Sequence, residues 1–90
     1  MAVLPDFEYT AALSAIKLAD LTDADRLAQA FDVVTRRILS LYEQDVELAR
    51  ALQDGDLLVK NQIKLEMLKT SRQVFEQCYR FMLGGSPWDV

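Results

Sequence analysis

The residues best able to do chemistry in this chain are few and scattered: Asp45, Cys78, the triplet Asp54-Gly55-Asp56, the pair Arg36-Arg37 and Trp88. Asp45 interrupts an apolar stripe. A carboxylate so placed can be raised in pKa and work as a general acid or base, but it needs a second titratable group beside it. The pattern supplies none, and a partly exposed acid or an ion pair is the simpler reading. There is no histidine in the ninety residues. A Cys–His nucleophile is therefore excluded, and Cys78 reads as a small hydrophobe on an apolar arc. Asp54-Gly55-Asp56 looks like the opening of a calcium loop, but Leu57-Leu58-Val59 stand where further oxygen ligands belong. A helix stop followed by a helix start accounts for it. Arg36-Arg37 is too small a basic spot to hold phosphate. Trp88 either anchors a partner, as tryptophan does at interfaces, or folds back over the end of the protein. No Gly-rich phosphate loop and no paired acids on an apolar face are present. The chain reads as a non-enzyme, with no catalytic, cofactor-binding or metal-ligating residue assigned.

Composition narrows the partners. The net charge is −4, with 51% apolar and 27% charged residues, the balance of an ordinary soluble domain. An acidic surface opposes non-specific nucleic-acid binding, which depends on Lys and Arg neutralising phosphates. The acidity is uneven: residues 1–56 hold eleven acids and five bases, whereas 57–90 hold three acids and five bases. The two parts attract each other, or the opposite part of a neighbouring copy. A single cysteine excludes an internal disulfide and fits a reducing compartment. The first residues lack a basic-then-apolar signal pattern, and no run nears the ~20 apolar residues of a membrane span. A cytoplasmic location is expected, and signal-independent export is compatible with it.

Helices must carry these residues. Sustained alternation and an Asn-Gly hairpin are missing, and helix formers dominate. The expected fold is all-α: one domain over 1–90, a long antiparallel α-hairpin with a short N-terminal helix, in a three-helix and partly open bundle. Residues 1–5 read as a loose arm ending at Pro5. A first helix is expected over about 7–19, capped by Asp6, with Phe7, Ala11, Leu18 and Leu21 on its apolar face and Leu13 and Ile16 beside them. Thr22 and Asp25 give the second helix, about 23–52, a start resembling a capping box. Its stripe of Leu27, Phe31, Val34, Ile38, Leu41, Asp45, Leu48 and Leu52 keeps a 4-3 spacing, which makes one narrow seam. Gly55 offers a left-handed residue to end this helix, and Asp56 offers a cap for the third, about 57–83. Gly84-Gly85 and Ser86-Pro87 end the third helix and leave a flexible or hooked tail, 84–90.

Folding the long helices back about Asp54-Gly55 sets Leu52 against Leu57, Leu41 against Leu68, Val34 against Phe75, Phe31 against Cys78 and Leu27 against Met82. Asp45 then lies level with Lys64. An inter-helix ion pair between these two is expected to fix the register, as buried polar groups do in coiled coils. The third helix is apolar over an arc of roughly 220°, against ~100–140° for a helix with one buried face. A first helix ~20 Å long cannot cover a third of ~40 Å. Ile63, Met67, Val74 and Phe81, with Trp88 as an outlying anchor, are therefore the expected contacts for a protein partner. The leading function is recognition through this face, with a partner helix or a second copy as the occupant. The alternative is an acidic regulatory or inhibitory protein that binds a basic surface through Asp20, Asp23, Asp25 and Asp32.

Two segments carry a family resemblance. Asp25-Arg26-Leu27-Ala28-Gln29-Ala30-Phe31 resembles the Asp-Arg-Leu-x-Gln-Ala-Phe stretch of inner-rod subunits of bacterial type III secretion systems. Leu58-Val59-Lys60-Asn61-Gln62-Ile63-Lys64-Leu65 is similar to their C-terminal Leu-x-x-x-Gln-x-x-Leu pattern. The interval from that glutamine to the C-terminus is shorter here, and the Trp88 tail lies outside the pattern. The resemblance implies a small helical secretion-apparatus subunit. A secretion or assembly chaperone is a related expectation, resting on the hairpin shape alone.

Overall fold

The computed structural model describes residues 6–88. The arm expected at 1–5 and the last two residues of the tail lie outside them. Three α-helices follow in order: α1 Asp6–Leu18, α2 Asp23–Ala51 and α3 Gly55–Leu83. No strand occurs among the described residues. The fold is all-α. Helices α2 and α3 pack against each other as an antiparallel hairpin, and among the described residues α1 packs on α2 alone.

Local chemistry explains the helix ends. Asp6 and Glu8 in the first turn of α1 and Lys17 in its last suit the helix dipole. The Thr22 hydroxyl accepts the Asp25 N–H at 3.2 Å and so caps α2. The turn between the long helices departs from expectation. Its left-handed residue is Gln53, at φ 54°, while Gly55 opens α3. The Gln53 N–H reaches Arg50 O at 3.0 Å and the Asp54 N–H reaches Ala49 O at 3.1 Å, which is a Schellman closure. Asp54 rather than Asp56 caps α3, its Oδ1 accepting the Leu57 N–H at 3.0 Å. The triplet is thus a stop and a start. Gly84 ends α3 in the left-handed conformation, φ 80°.

Glutamine at a left-handed position is strained, and glycine inside a helix is entropically costly. Gln53→Gly is expected to stabilise the fold by about 0.5–1 kcal/mol. A Cβ on Gly55 would meet nothing within 4 Å, so Gly55→Ala is expected to add a similar amount. Thermal melts should show each raising the midpoint by a few degrees.

The helices lie side by side in one layer. Arg26 and Arg37 hold α1: the Arg26 guanidinium donates to Ala19 O at 2.9 and 3.1 Å, and Arg37 binds the Asp6 carboxylate and covers the Tyr9 ring at 4.2 Å. On the α2 wheel these two lie roughly half a turn from the line that meets α3. Helices α1 and α3 therefore flank α2 on opposite sides, and the molecule measures 47 × 32 × 17 Å. The residues that α1 does not expose are Tyr9, Ala12, Leu13 and Ile16, and Ala19 just after it is also part-buried. Phe7 and Leu18, expected on its inner face, are exposed.

The seam of the hairpin also differs from the expected one. In α2 it runs Ala28, Asp32, Thr35, Leu39, Tyr42, Val46 and Ala49; in α3 it runs Leu58, Asn61, Leu65, Leu68, Arg72, Phe75 and Tyr79. None of these is exposed, and both lines keep the 4-3 spacing of packed helices. The expected leucine stripe lies about a quarter turn away, and Leu27, Leu41, Leu48 and Leu52 are exposed. The register moves by three residues: Phe31 stacks on Phe75 at 4.3 Å, where the stripe set it against Cys78. Small residues decide this. Ala28 and Ala49 are fully buried and let the backbones approach, which a row of leucines would prevent.

The Asp45–Lys64 ion pair is not formed. Both residues are exposed, and the ion pairs among the described residues do not join them. The polar link at this level comes from buried Asn61, whose Nδ2 donates to the Asp45 carbonyl at 3.3 Å.

Candidate functional site

The most concentrated chemistry lies at the open end of the hairpin, and it is structural. Arg72 of α3 donates from Nη2 to Asp32 Oδ1 at 2.7 Å, from Nη1 to the Asp32 carbonyl at 3.4 Å, and from Nη1 to the Thr35 hydroxyl. Thr35 in turn donates to Phe31 O at 2.6 Å. The Arg72 and Asp32 side chains are only 16% and 18% exposed. Charge-assisted bonds shielded from water in this way are stronger than surface pairs. Asp32 also takes Arg36 Nε at 3.1 Å. Tyr79 donates its hydroxyl to the Asp25 carboxylate. That bond raises the phenol above its ordinary value of 10.0, with desolvation and the Asp25 charge acting in the same direction.

The tail closes this end. Trp88 folds back, its Nε1 donating to Ala28 O at 2.8 Å. Its ring lies over Arg72 at 4.4 Å and near-parallel to Phe31 and Phe75 at 6.0 and 5.7 Å. Trp88 is therefore part of the fold's own packing rather than an outlying anchor. Residues 25–31, which carry the first resemblance, are accounted for by the same structure. Asp25 holds Tyr79, Arg26 caps α1, Phe31 stacks, and Ala28 makes room.

The acidic cluster proposed to meet a basic partner is largely engaged within the chain. Asp23 pairs with Arg26 at 3.0 Å, Asp25 holds Tyr79 and Asp32 holds two arginines. Arg36 and Arg37 are likewise both in ion pairs. Cys78, expected to be buried, is exposed, because the three-residue shift puts Phe75 in its place. Among the described residues no group of three His, Cys, Asp or Glu could hold a metal ion, and no helix is long and apolar enough to cross a membrane.

What stands open is apolar. Ile63, Met67, Val74 and Phe81 are 54–87% exposed on α3. Val59 continues their line, and around Ile63 and Met67 the surface forms a shallow depression of about 550 Å³. Helix α1 cannot reach this flank, since it lies on the far side of α2. Sequence reasoning missed a second open region, made by Leu27, Leu41, Leu48 and Leu52 of α2. Its signal is the leucine stripe itself, whose regular apolar spacing points to the interior. Ile38 of α2 lines one depression with Lys64, Met67 and Ser71 of α3, so the two open regions adjoin on one side of the layer.

No protein-family model, curated protein or solved structure matches this chain.

Proposed function

We infer that the protein is a non-enzymatic helical interaction module that engages a protein partner through the apolar flank of α3. The observation that carries this reading is the exposure of Ile63, Met67, Val74 and Phe81 in one line, on a helix whose other side already holds α2. Contiguous apolar surface of this kind marks sites of association. Isolated exposed hydrophobes are common; a run on one helix face fits a helix-in-groove contact or self-assembly. Met67 and Met82 suit an adaptable surface. A secretion-apparatus subunit or a chaperone working from the cytoplasm is the role this reading favours, on the inner-rod resemblance and the hairpin shape.

The test is dye binding and particle size on wild type and Phe81→Glu. The wild type should bind an apolar fluorescent dye or self-associate, and Phe81→Glu should reduce either by several-fold with helicity unchanged. A monomeric wild type that binds no dye would remove the basis for this reading.

A further inference from the structure

We propose that the occupant of the apolar side of the α2–α3 layer is a second copy of this chain, laid face to face so that Asp45 of each copy meets Lys60 and Lys64 of the other. The proposal rests on the interaction reading above and narrows it to one partner and one geometry.

Three observations carry it. First, Asp45 sits in the middle of the exposed leucine stripe of α2, between Leu41 and Leu48, and its carboxylate pairs with no described residue. Lys60 and Lys64 on α3 are exposed and equally without an acidic partner among the described residues. Second, these charges share a level and a side. Asn61 reaches the Asp45 carbonyl, which puts Asp45 within one turn of Lys60 and Lys64. Lys64 lines the same depression as Ile38, a neighbour of Asp45 on the α2 wheel. Third, the helices carry opposite charge. Helix α2 holds six acids and four bases, a net −2, and α3 holds three acids and five bases, a net +2.

Symmetry turns these into one arrangement. A two-fold axis running along the helices preserves height. It lays α2 of one copy over α3 of the other, brings Asp45 over Lys60 and Lys64 twice, and opposes the −2 helix to the +2 helix. An axis across the helices would instead stack α2 on α2, acid on acid. Met67 would enter between Ile38 and Leu41 of the other copy, and the product is an antiparallel four-helix core with α1 outside. A stable interface needs roughly 800 Å² per partner. A face 47 Å long and two helices wide, each about 10 Å across, supplies it.

The experiment is sedimentation of full-length protein over a concentration range, with helicity followed by circular dichroism. The wild type should dimerise. Asp45→Lys alone, and Lys60→Asp with Lys64→Asp, should each weaken self-association by at least about tenfold, through like charges brought together twice. Mixing the two variants should restore a dimer, because both contacts then pair opposite charges. Charges meeting only within one chain cannot produce that complementation. A wild-type dimer whose variants do not complement, or a monomeric wild type, overturns the proposal. In the monomeric case, dye binding that Phe81→Glu abolishes leaves the wider interaction reading standing; absence of dye binding removes both.

Discussion

Replacing Arg72 with alanine is expected to destabilise the fold by about 2–3 kcal/mol, lowering the melting temperature by roughly 10–20 °C for a domain of this size. The guanidinium joins Asp32 and Thr35 across the hairpin and supports the Trp88 ring. Its removal leaves the Asp32 carboxylate, 18% exposed, with only Arg36 for compensation. Arg72→Lys should recover little of the loss, because an ammonium cannot reproduce a planar fork that reaches a carboxylate, a carbonyl and a hydroxyl together. Asp32→Ala should be comparably severe. The double variant should lose less than the sum of the two single losses, since neither group is then left shielded and unpaired. Urea unfolding of the four proteins gives the coupling energy, and a value near zero would show that Arg72 and Asp32 stabilise the fold independently rather than through each other.

The second large effect belongs to Trp88. Trp88→Ala removes two aromatic contacts, a cation–π contact and a hydrogen bond to Ala28 O. Fully buried tryptophans cost 3–5 kcal/mol when truncated; for a half-buried ring about 2 kcal/mol is expected. Trp88 is the only tryptophan in the chain, so its emission reports the tail directly. The wild-type spectrum should be blue-shifted. Arg72→Ala should move it toward the red at temperatures where far-ultraviolet dichroism still shows full helicity. An emission maximum already at the solvent value in the wild type would mean that the tail does not dock.

Much of the architecture was legible because it is encoded locally. The Thr22 cap, the acids in the first turn of α2 and the glycines after Leu83 mark helix ends whatever surrounds them, and the 4-3 spacings announce long helices. The choice of face was not legible. Helix α2 carries two lines of the same period, one a position later than the other. The leucine line is the more apolar, and the alanine line is the one that meets α3. Hydrophobicity ranks faces by transfer energy, whereas the hairpin is chosen by how closely two backbones can approach and by the polar links that approach permits. Asp32 and Arg72 look like surface residues by composition; only their pairing forty positions apart explains their burial. For Trp88 the fold-back was one of two readings the sequence left open, because nothing in Gly84-Gly85-Ser86-Pro87 fixes the direction of the tail. The open flank of α3 was legible because its arc exceeds what one neighbour can cover and the first helix is too short to cover the rest, an argument from angle and length that is insensitive to register.

A layer 17 Å thick has consequences for how the chain comes apart. Among the described residues the most deeply buried are Ala28, Ala49 and Ser40, while the larger seam side chains keep part of their surface in water, so unfolding a single copy releases less apolar surface than unfolding a copy whose layer is covered. The denaturant slope and the heat-capacity change both scale with that surface. An isolated chain should therefore unfold over a broad denaturant range, with a flat dependence of stability on temperature. Covering one side of the layer would sharpen both. The steepness of the unfolding curve is thus a gauge of whether the layer stands alone.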